Sequence, residues 1–326
     1  MLLAQFQLDL EFVFQLIALA AAALTYVGYR RRADTLARHG RPNPQWREWS
    51  FVAGLLVGLA AVSPPVDSWT HKLFAAHMAQ HLLIGDISAL LLVLGLSGPM
   101  LQPVLAIKAI DRLRFLANPL PAFALWALNF YVWHIPFMYG AAFHNDFVHA
   151  LQHLSFLVFG ALMWMPLFGP LPKPAWFNNL AKLGYIIGVR LLGTLLGNVF
   201  VWSGTVFYGF YKAGEAHAGV GSLTDQSAAG VVMMLEQSLL TIFLFGWLFM
   251  RAAAEGEQKQ DLLDWAHAQG IELSDTRAGR AVAAGRGEEL RERLAREAAR
   301  SQESVAGAPA AAGTAAASAG SVRPVS

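Results

Sequence analysis

Ten histidines occur in this sequence, and their spacing is the feature with chemical potential. His77-Met78-Ala79-Gln80-His81 and His149-Ala150-Leu151-Gln152-His153 each place two imidazoles four residues apart. On an α-helix that separation is about 40° of rotation and about 6 Å of rise, so both rings lie on one side. Imidazole is the commonest protein ligand for metal ions. Two such pairs on neighbouring helices would give a site of four nitrogens, with His134 as a possible fifth. Cysteine is absent, which excludes thiolate sites, disulfides and cysteine nucleophiles. The soft donors left are thioethers: Met78 within the first pair, and Met233. Imidazole with thioether favours copper, whereas imidazole alone would also accept zinc. Copper is therefore the expected metal, with His77, His81, His149, His153, His134, Met78 and Met233 as candidate ligands. Neither pair has the adjacent Glu of a zinc-protease motif, and no other catalytic motif is found. A non-enzymatic role is expected.

A second constellation is ionic. Asp86, Arg190 and Glu236 each fall midway along an apolar stretch. At a bilayer centre a lone charge costs about 3 kcal/mol or more, so the three are expected to pair as an intramembrane charge network. Asp86 lies nine residues beyond His77, about 180° round an ideal helix. It is therefore not expected in the same metal shell. His71, His144 and His217 fall in connections and are expected to be solvated; His39 and His267 lie on the opposite side of the membrane.

The elements that must position these residues are membrane helices. The chain is 56% hydrophobic with 14% charged residues, against about 25% charged in ordinary soluble domains. Seven stretches approach the ~20 apolar residues a spanning helix needs: 8–29, 48–65, 77–98, 119–138, 147–168, 180–204 and 227–250. Arg30, Arg31, Arg32, Arg38, Arg41, Arg47, Lys108, Arg112, Arg114, Lys173 and Lys182 lie in alternate connections, against Lys72 and Lys212 in the others. Basic residues gather on the cytoplasmic side. The expected fold is thus an all-α polytopic bundle of seven transmembrane helices, N-terminus outside and C-terminus cytoplasmic, with both His pairs near the outer face. The first stretch lacks a basic segment before it and is followed by arginines, so a retained helix is expected rather than a cleaved signal.

Residues 252–326 hold 9 of the 24 Lys/Arg and 11 of the 22 Asp/Glu. The expected organisation is a membrane domain over 1–251, a partly helical cytoplasmic tail over 252–304 with charge-laced helix around Glu288–Arg300, and a disordered Ala/Gly/Ser-rich tail over 305–326.

Several blocks resemble, in order, the CtaG-like family of caa3-type cytochrome c oxidase assembly factors. They are Phe51-Val52-Ala53-Gly54, Ser63-Pro64-Pro65-Val66-Asp67, and Phe74-Ala75-Ala76-His77-Met78-Ala79-Gln80-His81-Leu82-Leu83. Leu94-Gly95, Gly98-Pro99 and Trp133-His134-Ile135-Pro136 follow. The series closes with His149 to Phe156, Asp225-Gln226, Gly230 and Met233. The resemblance covers about residues 10–250. It implies a bacterial inner-membrane protein, embedded in the lipid bilayer, that helps to build the oxidase, binding or delivering copper for the subunit that carries CuB. Asp86 and Glu236 depart from the family pattern, which has apolar or small residues there. Two other readings compete: a metal transporter that captures ions on the histidines and passes them along Asp86, Arg190 and Glu236, and a haem-binding oxidoreductase. An i, i+4 pair cannot supply both axial ligands of one haem, which argues against the latter.

Overall fold

A computed structural model describes residues 2–306; no strand occurs among them. The longer helices are α1 (Leu2–Arg38), α2 (Gln45–Ala61), α3 (Phe74–Gly95), α4 (Pro119–Trp133), α5 (Asp146–Phe168), α6 (Asn179–Trp202) and α7 (Ser222–Ala268). Short helices fill the connections: Pro64–Thr70, Gly98–Leu105, Lys108–Leu113, Pro136–His144 and Lys212–Ala218.

Among the described residues, five helices are long and apolar enough to cross a membrane: α1 from Val13, α3, α5, α6 and α7. A sixth results if Lys108–Ala117 and α4, bent 84° at their junction, count as one span. Two of the seven expected stretches are shortened by proline. α2 ends at Ala61, and a separate helix begins at Pro64, so only 17 residues remain, about 25 Å at 1.5 Å per residue. α4 stops at Trp133 because Ile135, before Pro136, is extended (φ −66°, ψ 129°) and the chain restarts as Pro136–His144. Proline disfavours helix at the preceding residue and suits the first helical position.

Large apolar side chains line the outside of the helices. Ile187, Leu191, Leu195 and Val199 form an exposed stripe on α6, and Leu235, Leu239 and Ile242 another on α7. In water this would be an aggregation liability; against lipid tails it is the expected surface. Between membrane helices no hydrophobic drive remains, so close packing needs small residues. Gly160 of α5 lies so near α3 that a Cβ there would come 1.9 Å from the Gly85 carbonyl oxygen. Gly54 of α2 likewise abuts Ser88 and Leu92, and the Ser88 hydroxyl donates to the Gly54 carbonyl at 2.8 Å. α3 is thereby held between α2 and α5.

α3 is not uniform. Residues Leu83–Ser88 form a π-helical turn between α-helical Phe74–Leu82 and Ala89–Gly95. Its i→i+5 bonding widens the turn and lowers the rotation per residue. Asp86 lines the same small cavity as His81 and is not part of the four-ring cluster.

The chain divides into two compact units, up to Gly246 and from Trp247 onward. In the second, the end of α7 is followed by α8 (Asp275–Ala283) and α9 (Gly287–Ala306). Leu262, Ala278 and Val282 form its buried core, with Trp265, Leu273 and Leu290 packed around them. Gly270 and Gly285, at φ 67° and 68°, make the turns. Helix here is more extensive than the segment expected around Glu288–Arg300. The Ala/Gly/Ser-rich stretch expected to be disordered lies, from residue 307 on, outside the described residues.

Candidate metal centre

The two histidine pairs meet. His77 and His81 stand in the first turns of α3, and His149 and His153 in the first turns of α5. One ring nitrogen from each of the four lies within 4.8 Å of the others. Ring centroids are 4.3 Å apart for His77/His81, 4.2 Å for His149/His153, and across the helices 5.2 Å for His77/His149 and 5.5 Å for His81/His153. His77 and His81 are buried; His149 and His153 are partly buried.

The hydrogen bonding of this cluster is incomplete. His77 Nε2 and His81 Nε2 share one hydrogen bond of 2.8 Å. The buried atoms His77 Nδ1, His81 Nδ1, His149 Nε2 and His153 Nε2 have no partner. Each buried polar atom left unpaired costs about 1–3 kcal/mol. Four in one cluster make little sense as packing and fit a donor set for a cation. Nitrogens about 2.05 Å from a tetrahedral ion sit roughly 3.3 Å from one another. The cluster is at that scale, and a bound ion would replace the His77–His81 hydrogen bond.

Three features fix the rings. Gly160 against Gly85 sets the α3–α5 spacing. Asp225, at the start of α7, accepts from the Phe74 and Ala75 amides at 2.6 and 3.1 Å. The residue preceding α3 is Leu73, which has no side-chain acceptor, so the helix is capped from 151 residues away. Gln80 points away from the cluster and donates to Ala61 O and Asp67 Oδ1, both at 2.9 Å, tying α3 to the chain after α2. An aromatic group from the connections packs alongside: Tyr139 lies 5.1 Å from the His77 ring and its hydroxyl is 2.9 Å from that of Tyr211.

His71 was expected in solvent; it is partly buried, with its ring 5.7 Å from His149, because Pro64–Thr70 folds back toward α3. His144, His217, His39 and His267 are exposed. His134 stays outside the four-ring cluster. Its Nδ1 contacts the Phe130 carbonyl at 2.6 Å and its Nε2 faces Met78 Sδ at 3.4 Å. Met78 and Met233 are buried beside the same small cavity as His134 and not among the four rings.

Deeper along α3 lies the charge network. Arg190 of α6 grips Asp86 with both terminal nitrogens at 2.9 and 3.1 Å. Its Nη1 also reaches Gln237 Oε1 at 3.0 Å and Glu236 Oε1 at 3.5 Å. Gln237 donates to Glu236 Oε2 at 2.8 Å. Trp164 of α5 stacks 4.8 Å from the guanidinium and donates from Nε1 to the Asp86 carbonyl at 3.0 Å. Three helices and two carboxylates thus converge on one arginine. Gln237, Trp164, Gln80 and the capping role of Asp225 were not foreseen, although Asp225 stood among the family blocks.

A multi-pass helical membrane protein with a buried imidazole cluster near one end of its bundle is the class these features define. The family model for cytochrome c oxidase caa3 assembly factors (Caa3_CtaG) matches residues 26–255. The chain belongs to that family. An uncharacterized protein of Mycobacterium bovis is 23% identical over 211 residues, covering 60% of this chain and 32% of its own length. One from Mycobacterium leprae is 22% identical over 196 residues, covering 55% and 29%. The match thus spans about a third of the length of these curated relatives. No solved structure matches.

Proposed function

We propose that this chain holds copper on His77, His81, His149 and His153 and passes it to the subunit of cytochrome c oxidase that carries CuB. Membership of an oxidase assembly family supplies the context. The observation that carries the metal is that one ring nitrogen from each of the four lies within 4.8 Å of the others, while each ring also has a buried nitrogen without a partner. Imidazoles suit copper in an oxidising compartment, and copper is here cargo rather than a catalytic group. The chain's own part is to bind the ion, exclude water through the aromatic group, and let it go to a partner.

This reading sets the chain in a bacterial cytoplasmic membrane with seven spans, N-terminus outside. Support comes from the basic residues, which alternate between connections, and from α2 and the bent α4 span, each short of a full crossing only where proline breaks it. The histidine cluster would then face the outer compartment.

Full-length protein in detergent, loaded with copper and desalted, should retain metal that the His77→Ala/His81→Ala variant loses. Wild-type copper stoichiometry in that variant would sink the proposal. The buried Asp86–Arg190–Glu236 network favours transport as the second reading. Copper flux into proteoliposomes that disappears with Glu236→Gln would favour it over holding. The haem reading fits poorly because an i, i+4 pair on one helix cannot supply both axial ligands of one haem, and a Soret band would reverse that judgement.

A further inference from the structure

His134 and Met78 make a contact that contains no hydrogen. His134 Nδ1 lies 2.6 Å from the Phe130 carbonyl oxygen, an atom that only accepts. Nδ1 therefore carries the ring proton, and Nε2 carries the lone pair. That lone pair faces Met78 Sδ at 3.4 Å. A thioether has no proton to offer. Two buried lone-pair donors thus converge, His134 at the end of α4 and Met78 on α3.

Both open on a cavity of about 30 Å³. Its wall also includes Met233 of α7, His81 and Asp86. One water needs about 10–15 Å³, so the space takes a particle of that size. A water there could donate to His134, but thioethers are only weak acceptors for its second proton.

We infer that this cavity is a second metal site, which takes Cu(I) on His134 Nε2 and the thioethers of Met78 and Met233, with His81 standing between it and the four-histidine cluster. Thioethers select soft ions, and Cu(I) suits an imidazole–thioether set. Asp86, which lines the cavity, is ion-paired with Arg190. His81 belongs to the four-histidine cluster and also lines this cavity. An ion could therefore pass between the two sites by ligand exchange without entering water. No bond to carbon and no change of oxidation state is involved.

This site goes beyond the proposed function and can fail separately from it. The test is anaerobic titration of the full-length protein with Cu(I) against a chromophoric chelator, followed by X-ray absorption at the copper edge. Wild type should take two Cu(I), with copper–sulfur scattering in the average. Met78→Leu/Met233→Leu, a volume-conserving change that costs less than about 1.5 kcal/mol, should lose one equivalent and the sulfur signal. His149→Ala/His153→Ala should lose the other equivalent and keep the sulfur. If the double methionine variant does not fold, Met233→Leu alone should weaken the sulfur signal by about half. Nitrogen-only scattering in wild type, or sulfur scattering unchanged by the methionine substitutions, overturns the second site and leaves the four-histidine reading standing. Sulfur scattering with no copper lost on replacing His149 and His153 does the reverse.

Discussion

Individual side chains in this protein matter through what they leave unpaired. Each of the four cluster rings has a buried nitrogen without a partner, whereas the terminal nitrogens of Arg190 are held by Asp86, Gln237 and Glu236. Removing one member of a buried ion pair strands the other, at a cost of about 3–5 kcal/mol, while removing both can be close to neutral. Arg190→Met is therefore expected to lower thermal stability in detergent strongly, and Asp86→Asn/Arg190→Met to recover part of the loss. A double-mutant cycle on melting temperature measures this; additive losses would show that the pair is not coupled. Asp225→Ala removes both acceptors from the start of α3. Losing such a cap costs about 0.5–2 kcal/mol. Asp225→Asn, which keeps one acceptor, should fall between wild type and Asp225→Ala in the same measurement.

Helices bring these residues into register through close approach and local distortion. α3 and α5 touch at Gly85 and Gly160, and a Cβ on Gly160 would collide with the Gly85 backbone. Gly160→Ala must push the two helices apart, and overpacking of this kind costs about 1–3 kcal/mol. Since each helix carries one histidine pair, copper affinity should fall together with stability. Gly184 on α6 has nothing within 4 Å of its Cβ position. Gly184→Ala should be neutral or mildly stabilising, since alanine is the better helix former. Equal effects of the two substitutions, read by melting and copper titration, would refute the role given to the α3–α5 contact. The π-helical turn at Leu83–Ser88 lies beside it and carries Asp86, which lines the same cavity as His81.

Across the whole molecule the candidate metal sites belong to the unit ending at Gly246, and the helices from Trp247 onward have a core of their own. Val282 is buried in that core. Val282→Asp should expose residues 269–306 to limited proteolysis while leaving copper stoichiometry unchanged; a loss of bound copper would contradict this independence. The helical and membrane character of the chain, the two i, i+4 pairs and the family were all readable from residue types and spacing. Periodicity and hydropathy are local properties, and the sequence by itself determined those. Sequence also predicted that Arg190 would meet Asp86 and Glu236, because a charge in lipid must find a partner. What only the tertiary structure decided was which nitrogens converge, that His71 lies beside them, and that His134 turns instead to Met78. Those outcomes depend on the glycine contact between α3 and α5, the π-helical turn in α3, and a cap supplied from α7. Each is an event between segments far apart in sequence, or a departure from ideal helix geometry, and no local pattern encodes it.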